Sequence, residues 1–82
     1  KRYDDAIEIA EYARKICIDY GVYTSLSGIL MILAECYYHL EDFEKSIELY
    51  RQSYYLFKII EDDRNLIIIK TEAKEFLDLE LD

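Results

Sequence analysis

The chain has no proline and only two glycines in 82 residues. Tight turns and short strands draw heavily on those residues, so their scarcity argues against a loop-rich or all-β fold and favours a few long helices. Charge of one sign is also scarce: ten Lys and Arg stand against 18 Asp and Glu, a net charge of −8. Nucleic acid would be repelled, because its binding needs a basic face that releases counterions. No uncharged apolar run reaches the roughly 18 residues that suggest a membrane span, and no signal-peptide pattern is present. There is no initiator methionine, and the helical pattern is already under way at the start. Residues 1–82 therefore read as one helical domain that is a fragment of a larger protein.

Cys17 and Cys36 are the only cysteines. They lie in apolar helical patterns without CxxC spacing, so they read as reduced core thiols in a reducing compartment, the cytoplasm. The acidic excess is concentrated late. Residues 61–82 hold eight acidic and three basic side chains, giving −5 of the total −8. A solvated helix face and tail account for this more simply than a docking site for a basic partner.

Four amphipathic segments follow one another. In residues 3–20, Tyr3, Ala6, Ile7, Ala10, Ala13 and Cys17 recur at helical spacing, and Gly21 supplies a stop. Residues 24–40 form a second segment, with Thr24 or Ser25 as the expected N-cap. Gly28 within it suggests a close approach by another helix. In residues 43–61 the stripe is Phe43, Ile47, Tyr50, Tyr54 and Phe57, entered through a turn at Glu41-Asp42. In residues 64–79 it is Leu66, Ile69, Ala73, Phe76 and Leu77. The run Leu66–Ile69 is β-prone, but no strand partner exists elsewhere, so helix is retained.

The first and third segments align at an offset of 40 residues. Tyr3 matches Phe43, Ala6 matches Ser46, Ile7 matches Ile47 and Ile9 matches Leu49. Ala13 matches Ser53, and Ile16 matches Leu56. The alternation of large, small and aliphatic residues survives although few identities do. Small residues at Ala13 and Ser53 would let a neighbouring helix approach closely.

These features resemble a tetratricopeptide repeat. Leu30, Leu33, Ala34 and Tyr37 stand at the first-helix positions of its pattern, and Glu41-Asp42 at its turn. Phe43, Ser46, Ile47, Tyr50 and Ser53 stand at its second-helix positions. Leu replaces the pattern's Trp, Ala its Gly, and Ser both small Ala positions, and the following Pro is missing. The 40-residue spacing exceeds the usual 34 or so and is similar to the longer repeats of bacterial peptide-sensing regulators. The resemblance implies an all-α fold of antiparallel helix hairpins, an α-solenoid fragment of about four helices, with the fourth capping the stack through an acidic outer face.

It also implies a site. First helices of such repeats line a concave groove, which would place Met31, Glu35, Tyr38 and His39 on the binding face. Plain core packing of Met31 and Tyr38 is an equally good account. Family members that clamp a C-terminal carboxylate use Lys and Asn, but Met31, Ile32 and Glu35 stand at the matching positions and disfavour that ligand. The expected role is protein or peptide binding without catalysis. On resemblance, this would be the sensor or dimerisation part of a bacterial transcription regulator. The alternative is a structural or self-associating domain, including a homodimer. Cys36 and His39 share a helix face as a nucleophile and base would, but chance spacing explains them better. No metal-ligand set, calcium loop or phosphate-binding loop is present, so no cofactor is expected.

Overall fold

The computed structural model describes residues 2–82. Four helices run in sequence: α1 (Tyr3–Tyr20), α2 (Tyr23–His39), α3 (Phe43–Ile59) and α4 (Asp63–Leu77). The described residues contain no strand. The fold is all-α. Each helix packs chiefly on its neighbours in sequence, as consecutive antiparallel hairpins in a slab of 33 × 31 × 17 Å. No helix among the described residues is long and apolar enough to cross a membrane.

All three interhelical turns share one geometry. The helix ends, one residue adopts positive φ, and the next begins the following helix. The positive-φ residues are Gly21 (69°), Glu41 (64°) and Glu61 (57°). In each turn the residue after it donates its backbone N–H five residues back: Val22 to Cys17, Asp42 to Tyr37 and Asp62 to Phe57, all at 2.9 Å. The same bonds close each helix, so the turns recur every 20 residues and the hairpins every 40. The 40-residue sequence offset is thus a structural register.

Turn geometry also corrects the expected start of α2. Helix α2 begins at Tyr23, with Val22 at the N-cap and no side-chain capping bond. Thr24 and Ser25 already lie inside the first turn. The bonds around Gly21 set the start of the helix two residues later, whatever side chain stands there. Helices α3 and α4 do use side-chain caps. Asp42 accepts from the Lys45 N–H at 3.3 Å and Asp62 from the Asn65 N–H at 3.2 Å.

Only Gly21 supplies the left-handed residue without a Cβ penalty; Glu41 and Glu61 carry that strain. Glu41→Gly and Glu61→Gly are each expected to stabilise the fold by about 0.5–1 kcal/mol, the strain relieved exceeding glycine's extra entropy cost. Urea unfolding checks this, and a loss of stability in both would refute it.

The close approach of helices is not at Gly28, where an added Cβ would meet nothing within 4 Å. It lies one position earlier. Ser53 donates its hydroxyl to the Ser27 carbonyl, and Ser46 donates to the Ala34 carbonyl, both at 2.7 Å. All four residues are fully buried. Two small pairs, each seven residues apart, let antiparallel α2 and α3 touch backbone to side chain. Around this seam the core gathers Leu26, Leu30, Leu33, Leu49, Tyr50, Tyr54 and Phe57, joined by Ala10 and Cys17 from α1 and Ile69 and Ala73 from α4.

The outer face of α4 is not the expected acidic cap. Ile67 and Ile68 are exposed there, because the acidic residues cluster elsewhere. Lys74 draws Asp78 and Glu80 into ion pairs at 2.9 and 2.7 Å. With Asp78 at positive φ, the tail folds back and buries Leu81. Part of the C-terminal acidic excess is therefore neutralised within the chain.

Candidate functional site

Glu35 and Tyr38 are one turn apart on α2, and the consecutive hairpins bring α4 beside them. Tyr38 stacks on Phe76 with ring centroids 4.3 Å apart, and Phe43 lies 5.9 Å from Tyr38. His39 is exposed at the end of α2. Its ring stacks on Tyr3 at 4.7 Å and meets Phe76 edge-on at 5.9 Å. Met31 is half-buried and packs against the core. The four expected groove residues thus lie along one side of α2, but three of them make specific contacts within the chain.

Glu35 carries the unusual electrostatics. Burial pushes its carboxyl pKa from 4.5 up to about 8, helped by a hydrogen bond with Glu72 and repulsion from its charge. The raised value favours a proton held between the facing Glu35 and Glu72 carboxyls. Glu72 accepts a second bond, from the fully buried Tyr50, whose hydroxyl donates to Oε2 at 2.6 Å. Burial, then the bond to Glu72, raises the Tyr50 pKa and keeps its hydroxyl protonated. One carboxylate from α4 is therefore held by a donor from α2 and another from α3.

Glu72, Phe76 and Tyr50 are the site members that motif reading missed as partners. Tyr50 and Phe76 were visible as apolar stripe positions. Glu72 carried no local signal, since a glutamate on a helix otherwise reads as a solvated face.

Open clefts flank this surface on the α4 side. One, of about 450 Å³, is lined by Ile67, Ile68, Thr71, Glu72, Glu75 and Phe76. Another, of about 630 Å³, lies between Phe43 and Ile47 of α3 and residues 74–78. They share Glu75 and Phe76, and the Phe76 ring meets those of Tyr38 and His39. Cys36 is buried, and burial above all raises its thiol pKa, so it is a protonated core thiol rather than a thiolate. Both cysteines are free. Among the described residues no group of three or more His, Cys, Asp or Glu side chains is placed to hold a metal ion.

No protein-family model, curated protein or solved structure matches the chain.

Proposed function

We propose that this chain is a protein- or peptide-binding helical-repeat module, of tetratricopeptide type and without catalytic activity. The observation that supports the reading is the joining of α2 and α4 on one side of the slab. There Tyr38 and Phe76 stack and Glu35 bonds Glu72, beside an open cleft of about 450 Å³. A surface that mixes Met, aromatic rings and half-buried carboxyls suits an extended or helical segment carrying apolar side chains with an occasional cation. Assignment to the sensor part of a bacterial transcription regulator rests on the resemblance of the 40-residue spacing, and a helix-turn-helix pattern in the parent sequence would support it.

A displayed library of random 12-residue peptides, panned against the full chain, tests the reading. Enriched peptides are expected to combine Leu, Phe or Tyr with Lys or Arg. Their binding should weaken about tenfold or more in Met31→Glu, the loss typical of a contact at the centre of an interface. Circular dichroism separates binding from folding, and the milder Met31→Ala provides a second variant. Failure to enrich any sequence, or binding indifferent to both variants, would overturn the proposal.

A further inference from the structure

Helix α4 packs chiefly on α3, and its Ile69 and Ala73 are fully buried in the core. To α2, which is not its neighbour in sequence, it is joined by two residues one turn apart, Glu72 and Phe76. Glu72 meets Glu35. The Phe76 ring stacks on Tyr38 at 4.3 Å and meets His39 edge-on at 5.9 Å. The α2–α4 joint is thus a short ladder, carboxyl on carboxyl and then ring on ring.

No cation relieves the carboxyl rung. Burial and Glu72 act on Glu35, and nothing positive offsets them. On α1, Arg14 and Lys15 are engaged with Glu11 and Asp19, and Arg2 just before it with Asp5. On α4, Lys74 is engaged with Asp78 and Glu80. Helix α3 presents Tyr50, whose hydroxyl donates to Glu72 at 2.6 Å. Tyr38 and Cys36 of α2 lie near and bring no positive charge. Tyr50 also fixes Glu72 in place. It is fully buried, so a Glu72 that swung away would leave the Tyr50 hydroxyl without a partner.

A proton between the two carboxyls makes this rung a hydrogen bond. Without it two anions face one another in a half-buried setting, where salt screens them little. Glu35 then turns out to solvent or α4 moves away, and in both cases the joint keeps only its stacked rings. The α2–α3 seam has no such dependence, because its bonds from Ser46 to Ala34 and from Ser53 to Ser27 join hydroxyls to carbonyls and do not titrate. We propose that Glu35 and Glu72 form a pH-sensitive clasp, in which a shared proton holds α4 against α2 and its loss lets α4 open while the α2–α3 seam stays closed. The direction follows from Glu35, whose pKa the folded chain raises from 4.5 to about 8. The clasp therefore loosens as pH rises from about 5 to about 8 and changes little beyond. It stands whether or not the α2–α4 surface binds a peptide.

Hydrogen–deuterium exchange of the full chain from pH 5 to pH 9, corrected for the intrinsic pH dependence of amide exchange, provides the test. Amides of α4 should exchange faster than those of the α2–α3 seam, through an opening that leaves the seam intact. Their protection should fall by up to about tenfold per pH unit between pH 5 and pH 8, the limit for release of one proton. Glu35→Gln keeps a donor for Glu72 without the titration, so its α4 protection should stay level over the same range. Glu72→Gln keeps an acceptor for Tyr50 and should reduce the fall in part. Circular dichroism checks the folding of both variants, and the unaltered chain by itself is enough to refute the clasp. An α4 protection that does not change with pH, an equal fall in Glu35→Gln, or α4 amides that exchange in step with the seam would overturn the proposal.

Discussion

Replacing Glu35 with glutamine is expected to stabilise the protein at pH 8 and above by about 1–3 kcal/mol, the range that remains after discounting for a half-buried group. The folded chain raises the Glu35 pKa from 4.5 to about 8. Between those values the folded state holds a proton that the unfolded state releases, so stability falls as pH rises. The contribution is fully present below pH 4.5 and lost through about pH 8, with a slope of at most about 1.4 kcal/mol per pH unit. A glutamine amide can donate to Glu72 as the protonated carboxyl does, but it cannot ionise. The difference in stability between Glu35→Gln and the unaltered chain should therefore grow from pH 5 to pH 8 and then level off. Glu72→Gln should reduce the same dependence in part, because it removes the bond and the charge that add to burial in opposing ionisation of Glu35. Urea unfolding at a series of pH values reads this directly. Parallel pH profiles for the variant and the unaltered chain would show that Glu35 titrates normally.

An opposite pair of effects is expected one position apart on α2 and across its seam with α3. Ser53→Leu should destabilise the fold by about 3 kcal/mol or more, combining overpacking of a tight contact with loss of a buried hydrogen bond. Ser46→Leu should behave likewise, since its hydroxyl meets the Ala34 carbonyl at 2.7 Å. Gly28→Ala should instead stabilise by about 1 kcal/mol, the helix-propensity difference, because nothing within 4 Å opposes the new methyl. Ser53→Ala separates the two components of the serine effect: it keeps the close approach and loses only the hydrogen bond, at about 1 kcal/mol. Thermal unfolding of the four variants checks the ordering. Equal tolerance of Gly28→Ala and Ser53→Leu would mean that the helices do not meet at Ser27 and Ser53.

The Gly28 position shows why the seam was only half legible. The small residues at Ala13 and Ser53 stood out because they recur at the 40-residue offset and alternate with bulky neighbours. On the α2 side the eye falls on the smallest residue, glycine, whereas the contact uses Ser27 and Ala34. Adjacent helix positions differ by about 100° in direction, so an error of one residue turns a packed position into an open one. The same limit applies at α4. The periodicity of Leu66, Ile69 and Ala73 located the buried side of the helix. What would lie on its other side followed from net charge alone, and that inference failed because α4 itself balances Asp63, Glu72 and Glu75 against Arg64, Lys70 and Lys74, the other acidic residues lying outside the helix.

Helix number, the turns at Gly21 and Glu41-Asp42 and the 40-residue register were determined by the sequence by itself; the third turn was not, since residues 43–61 read as one segment whereas α3 ends at Ile59 and Glu61 takes positive φ. They depend on interactions among residues a few positions apart: apolar spacing at 3.6 residues, Gly21 at positive φ, and Asp42 leading into α3. Tertiary structure alone decided which stripe meets which neighbour. It placed Tyr38 on Phe76, His39 on Tyr3, and Glu35 against Glu72, and so changed groove candidates into partly internal contacts. The physical reason is common to all of these. A side chain's pKa, exposure and availability depend on what other helices bring to within a few ångströms, and helical periodicity specifies a face without specifying its occupant.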